Sequence, residues 1–159
     1  TARVYLHNIT SPYAIIDSAK SIIDSVTFSG SYIFSNVSNG TYYLAVKHRN
    51  TIETWSKAGG ESLTNGGTLN YDFTNLITKA FGNNLILVDP SPVRFAIYSG
   101  DVNQDGTVDL TDGSMIDNDA FNFASGYLPT DVNGDGIIDL ADAVFADNNG
   151  FNFVTKITP

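Results

Sequence analysis

Residues 101–112 read DVNQDGTVDLTD, and residues 131–142 read DVNGDGIIDLAD. A twelve-residue segment that returns in register constrains the fold more than any other feature of this chain. In each copy, oxygen-bearing side chains stand at positions 1, 3, 5, 9 and 12, with glycine at position 6. The first copy has Asp101, Asn103, Asp105, Asp109 and Asp112, with Gly106 at the sharp turn. The second has Asp131, Asn133, Asp135, Asp139 and Asp142, with Gly136. Position 7 would contribute only its backbone carbonyl, so Thr107 and Ile137 are free to differ. Position 8 is apolar in both, Val108 and Ile138.

A hard divalent cation takes about six to eight oxygen ligands, and this spacing is that of a calcium loop. Four carboxylates in each loop repel one another strongly unless a cation sits among them. The bland alternative is a pair of Asx-rich surface turns. Two complete matches in one register favour two Ca2+ sites, with the side chains above and the carbonyls of Thr107 and Ile137 as ligands.

The repeat is longer than the loop. Residues 101–123 and 131–153 share thirteen identities in twenty-three positions, which indicates a duplicated unit. After each loop the apolar residues fall at helical spacing: Leu110, Met115, Ile116 and Ala120, then Leu140, Val144, Phe145 and Ala146. The expected unit is a loop followed by one helix, without a helix before it. Both helices are expected to end at NDAFNF (118–123) and NNGFNF (148–153). Phe121, Phe123, Phe151 and Phe153 are expected to pack the helices together or against the rest of the chain, an aromatic ligand box being the sharper alternative.

Charge follows the same division. Residues 1–99 carry six acids and seven bases, whereas 100–159 carry eleven acids and one base, Lys156. An acidic segment beside a nearly neutral one argues against nucleic acid or an anionic membrane as partner. The chain has no cysteine, which excludes disulfides and thiol chemistry. No stretch approaches the ~20 apolar residues of a membrane span. With no initiator Met and no signal peptide, the chain is expected to be a processed product or a fragment.

Residues 1–98 read as β-structure. Alternating or apolar runs occupy 3–8, 31–37, 41–49, 52–55, 69–73, 85–88 and 93–98, separated by Gly-, Asn- and Pro-rich turns. In 41–49, Tyr42, Leu44 and Val46 share one face, and Tyr43, Ala45 and Lys47 the other. Residues 13–24 fit either a less regular strand or a short helix. Seven or eight strands at this spacing predict a small antiparallel, Ig-like β-sandwich over 1–98, mainly β with a small α part at 99–159.

Two loop–helix units with Asp at loop position 12 resemble type I dockerin modules over residues 99–155. The resemblance implies a pseudo-twofold pair of calcium-clamped helices, and a cohesin-like β-sandwich protein as partner. Dockerins that bind cohesin usually carry a Ser/Thr pair at loop positions 10 and 11, and a Lys-Arg further along the helix. Here those loop positions are Leu110-Thr111 and Leu140-Ala141, and the helices carry Asp117, Asp119 and Asp147 with no base. The run YYLAVKHRNTIETWS (42–56), with YDFT (71–74), resembles a β-sandwich that precedes dockerin-like repeats in large secreted bacterial proteins. Copies of that module begin with one further apolar strand, so the resemblance implies a vacant strand position here.

Catalysis finds little support. A hydrolase needs a nucleophile with its base, or two carboxylates facing a cleft. The chain has two histidines, His7 and His48, and two glutamates, Glu53 and Glu61. The cluster of His48, Arg49, Glu53 and Trp55 is accounted for by a Glu–Arg pair across adjacent strands beside a packed Trp. No Gly-rich phosphate loop lies between a strand and a helix. The expectation is a secreted, non-enzymatic assembly module.

Three classes of partner follow. One is other copies of the chain, joined by strand addition through the tail FNFVTKITP (151–159), where Phe151, Phe153, Thr155 and Ile157 alternate with polar residues and Val154. Another is a cohesin-like protein docked on the helices. The third makes the chain a carbohydrate-binding or spacer module of a larger secreted enzyme, and for a glycan Trp55, Tyr13, Tyr32 and Tyr43 would form the stacking surface.

Overall fold

The computed structural model describes residues 1–159 throughout. The chain is mainly β, with antiparallel sheets and two helices. It divides into two compact units. The first comprises Thr1–His48, Glu53–Ala96 and Ile157–Pro159; the second comprises Arg49–Ile52 with Ile97–Lys156.

In the first unit, strands β1 (Ala2–Asn8), β2 (Ile15–Ser21), β3 (Gly40–His48), β4 (Thr54–Trp55) and β5 (Glu61–Leu63) build one antiparallel sheet. Its order is β2-β1-β3-β4, with β5 also on β3. The long strand β3 pairs with β1 from Ala2↔His48 to Asn8↔Tyr42. Its other edge is shared by β4, through Ala45↔Trp55, and β5, through Tyr42↔Glu61. Strands β6 (Ile86–Pro90) and β7 (Val93–Ala96) form a separate antiparallel pair.

The expected alternation in β3 is realised. Tyr42 and Leu44 join Val4 and Leu6 in a core on one face of the sheet, with Val46, Tyr32 and Phe34 packed against it. Tyr43 and Ala45 join Trp55 on the other face, beside Tyr5, Tyr13 and Phe81. Antiparallel partners face the same side, so the pairs Val4↔Val46 and Leu6↔Leu44 explain the sorting.

Within residues 13–24 it is a strand that forms, β2 over Ile15–Ser21, because pairing along β1 gives its backbone groups partners. Two expected strands do not form. Residues 31–37 keep their alternation, with Tyr32 and Phe34 inward and Ile33 outward, yet have no strand pairing. Their backbone is held by a side chain instead: Asp17 Oδ2 accepts the N–H of Ser35 and Asn36, both at 2.9 Å. Residues 69–73 are likewise irregular, and Tyr71 anchors them by donating its hydroxyl to Lys79 O at 2.7 Å. Aromatic alternation fixed which side chains point inward, while local hydrogen bonds took the backbone out of the sheet.

In the second unit, helices α1 (Leu110–Phe121) and α2 (Leu140–Phe151) follow the two loops. Both end at the Asn-Phe segments, where the Asn122 and Asn152 side chains each donate to a carbonyl one turn back, Asn118 O and Asn148 O, at 2.8 Å. The core gathers Val102, Val108, Ile116, Ile138, Ala143, Ala146, Val154 and Ile52. Ile52 is fully buried there, and its N–H donates to Tyr98 O at 2.9 Å.

The helix faces differ from expectation. Leu110, Met115, Leu140, Val144 and Phe145 are exposed, and Ile116, Ala143 and Ala146 supply the packing. The four phenylalanines do not close the helices together: Phe121, Phe123, Phe151 and Phe153 are 83%, 91%, 84% and 85% exposed. The cause is the exit turn. Phe123 and Phe153 adopt left-handed φ of 54° and 55°, so the chain reverses there, and Val154 turns inward while both rings stay out.

Candidate metal centre

The two loops have almost superimposable hydrogen-bond patterns. Asp109 caps α1 by accepting Thr111 N at 2.7 Å, and Asp139 caps α2 by accepting Ala141 N at 2.8 Å. Each cap is completed by the position-12 carboxylate, an Asp in place of the usual Glu or Gln. Asp112 Oδ2 accepts Asp109 N at 3.0 Å, while its Oδ1 accepts Val102 N and Asn103 N at 2.8 and 3.1 Å. Asp142 repeats this with Asp139 N, Val132 N and Asn133 N at 3.0, 2.7 and 2.9 Å. Both carboxylates are fully buried, so one side chain ties the start of each loop to its helix.

Mid-loop residues form a ladder of short-range bonds. Asn103 Oδ1 accepts Asp105 N at 2.8 Å, and Asp105 Oδ1 accepts Thr107 N at 2.9 Å. Asn133 and Asp135 do the same for Asp135 N and Ile137 N, both at 2.8 Å. At position 6, Gly106 and Gly136 take φ of 95° and 81°, a region that strains any residue with a Cβ.

Each loop is finished by the other repeat. Val108 N donates to Val154 O at 2.9 Å and Lys156 N to Gly106 O at 2.7 Å. Thirty residues on in the loop and thirty back in the exit segment, Ile138 N donates to Ala124 O at 3.3 Å and Gly126 N to Gly136 O at 2.8 Å. The segment after α2 thus borders loop 1, and the segment after α1 borders loop 2.

Position 1 distinguishes the loops. Asp101 is 2% exposed; its Oδ2 accepts Gly106 N at 3.2 Å, but its buried Oδ1 has no hydrogen-bond partner. Burial, with the nearby charge of Asp112, pushes the Asp101 carboxyl up to about 6. Asp131 is equally buried but fully engaged. Its Oδ1 accepts Gly134 N and Gly136 N at 2.9 and 3.3 Å, and its Oδ2 pairs with Arg49 Nη2 at 3.2 Å.

All twelve candidate ligands lie on these two loops, but no three Asp, Glu or His side chains converge tightly enough to enclose an ion by themselves. The loops close instead on their own N–H groups. The residues nonetheless suit a divalent cation in a mixed oxygen set. An ionised oxygen left buried without a donor costs about 1–3 kcal/mol or more, and a cation beside Asp101 Oδ1 would offset that. The exposed carboxylates of Asp105 and Asp109 in loop 1, and of Asp135 and Asp139 in loop 2, retain lone pairs for the same ion.

Arg49, Asn50 and Gln104 are neighbours of the loops that spacing did not reveal. Arg49 donates from Nε to Leu128 O at 2.8 Å and from Nη2 to Asp131 O at 2.6 Å, with its guanidinium 3.8 Å from the Tyr127 ring centroid. Asn50 Nδ2 also donates to Asp131 O, at 2.9 Å. Gln104 Nε2 serves Asp101 O at 2.6 Å and Thr51 O at 3.2 Å. No periodicity links positions 49 and 131, so no sequence signal marked this group.

The tail does not form the expected strand. Phe151 ends α2, Phe153 is exposed, and Thr155 faces Thr107 in an isolated bridge rather than in a continuous strand. Ile157 lies against Gly82 in the first unit, its Cγ2 2.7 Å from where a Cβ on that glycine would stand. Trp55, offered as a sugar-stacking residue, is 5% exposed and lies 4.1 Å from the His7 ring. Its Nε1 donates to Glu53 at 2.8 Å. No helix is long and apolar enough to cross a membrane. Compared with known proteins, the chain matches no family model, and no curated protein or solved structure is significantly similar to it.

Proposed function

We propose that this chain is a secreted, non-catalytic structural module in which two dockerin-like loop–helix repeats bind calcium as a permanent clamp. Its purpose, on this reading, is assembly with other copies of itself. The single observation that carries the calcium reading is the Asp101 carboxylate: position 1 of a duplicated twelve-residue loop, buried, with one oxygen lacking any donor. The antiparallel sheets of the first unit are read as a small β-sandwich, and the second unit as a dockerin-like pair.

Extracellular calcium modules bind at about 10⁻⁴ to 10⁻³ M, which suits surroundings where the ion is always present. Binding free energy then becomes folding free energy. Self-association is supported by two surfaces. Strand β2 ends the sheet with one edge unpaired, and Ile15 and Ile16 on it are exposed. The four exposed phenylalanines at the helix exits add apolar area of a kind monomers seldom leave open.

Sedimentation of the purified chain in millimolar calcium, and again after excess chelator, tests both parts. Large particles that dissociate on chelation are expected. A monomer under both conditions, with unchanged far-UV circular dichroism, would overturn the reading.

Docking to a cohesin-like partner is the second reading, favoured by the exposed helix positions Thr111, Ser114 and Asn118. Substitutions there would then weaken binding to the partner and leave sedimentation unaltered. A glycan surface is least supported, because Trp55 and Tyr43 are core residues.

A further inference from the structure

Within the second unit the internal repeat serves as its own control. The two loops match in sequence and hydrogen bonding at positions 3, 5, 9 and 12, yet differ sharply around position 1. In loop 1 the carbonyl of Asp101 accepts a neutral donor, Gln104 Nε2, at 2.6 Å, and the carboxylate keeps one buried oxygen without a partner. In loop 2 the carbonyl of Asp131 accepts Asn50 Nδ2 and Arg49 Nη2, and Arg49 also pairs with the carboxylate at 3.2 Å. Loop 2 therefore carries a built-in cation at the position where loop 1 has an unmet charge.

Arg49 is not a loosely placed surface charge. Its side chain is 16% exposed, its Nε is bound to Leu128 O, and its guanidinium carbon lies 3.8 Å over the Tyr127 ring centroid. Guanidinium groups suit such planar, multiply bonded placement, and their charge cannot be titrated away. Lys156 crosses loop 1, its side chain 3.4 Å from where a Cβ on Gly106 would stand, but it is exposed. Solvent and salt screen a charge there far more than one held against a buried carboxylate.

Resting on the calcium reading above, we propose that Arg49 is a positioning residue that makes the two calcium sites unequal. It fixes Asp131 in its place without an ion and lowers the affinity of loop 2, so that loop 1 fills first. Calcium affinity in such loops follows ligand charge and rigidity, and a guanidinium against one of four carboxylates reduces the effective charge of the site. Loop 1 is then the site whose occupancy decides whether the unit is ordered. Loop 2 is organised beforehand by the protein's own cation.

The test is a calcium titration of the full chain by amide nuclear magnetic resonance after chelator treatment. The position-6 amides of Gly106 and Gly136 report each loop separately. In the unsubstituted chain, Gly106 is expected to reach half its shift at about tenfold lower calcium than Gly136. R49M, which removes the charge, should bring the two midpoints within about threefold of each other. R49K, which keeps the charge, should preserve the order of filling. Gly136 responding first, or an unchanged gap in folded R49M, would overturn the proposal. Should R49M fail to fold, the order of filling in the unsubstituted chain and in R49K still decides. A titration in which neither amide responds to calcium would instead remove the calcium reading itself, and this inference with it.

Discussion

Thr107, at position 7 of the first loop, faces Thr155, which follows the second helix, in an isolated antiparallel bridge. Ile137 and Ser125 repeat the relationship with the roles of the two halves exchanged. Neither loop is completed by its own helix alone, so each half depends on the exit segment of the other.

Truncation after Phe153 should therefore loosen loop 1 before loop 2. It removes the acceptor for Val108 N, the donor to Gly106 O and the buried Val154 side chain. Together these are worth about 3 kcal/mol. Hydrogen exchange should accelerate at Val108 well before Ile138, and equal acceleration at both would contradict the exchanged pairing.

Asp105 and Asp112 should fail in different ways. D112A leaves three backbone N–H groups without their acceptor in a buried setting, costing about 3 kcal/mol or more with or without calcium. D105A removes two exposed bonds, those its carboxylate accepts from Thr107 N and Asn103 Nδ2, so its main effect should be a lost response to calcium and a loosening of α1. D135A should do the same to α2. Thermal melts in calcium and in chelator separate the two patterns; a D105A protein that melts and titrates like the unsubstituted chain would count against a cation at this loop.

Ile52 is distant in sequence from both loops and fully buried in the second unit's core. I52A should cost about 2–5 kcal/mol by leaving a cavity between the position-8 residues and the helices. The expected sign is a lower melting temperature for the second unit. A melt unchanged from the parent would mean that this residue does not belong to that core.

Acid should release part of the first unit. Asp17 is held below the ordinary carboxylate range chiefly by the Asn36 N–H, then by those of Ser18 and Ser35. A carboxyl depressed in the folded state contributes stability above its unfolded value near 3.8, and that contribution fades as pH falls through the folded value. Tyr32 fluorescence and proteolysis within 31–37 should therefore change below about pH 4. D17N should show the open behaviour already at pH 7. Protection of 31–37 that is equal at pH 3 and pH 7 would contradict this role.

Legibility in the sequence followed the range of the interactions. The duplicated loops, their helices and the alternation in β3 depend on neighbours a few residues apart, and composition records such neighbours. The inward faces of 31–37 were also legible, because Tyr32 and Phe34 alternate. The missing strand pairing was not, because it depends on Asp17 reaching Ser35 and Asn36 across the fold. The phenylalanines at the helix exits misled for a related reason: hydrophobicity says what a ring prefers, while the left-handed turn at Phe123 and Phe153 decides where it goes. Arg49 on Asp131 was invisible, since nothing in either segment encodes the other.

The second unit draws Arg49–Ile52 from the link between β3 and β4. Duplication of a loop–helix cassette normally yields a piece that can be copied and pasted between genes. Here such a transfer would be incomplete: a gene segment encoding 97–156 alone would carry both loops yet leave behind the arginine on Asp131 and the isoleucine of the core. To move the repeat with its whole core, a recombination would have to bring along a four-residue stretch encoded some fifty codons upstream.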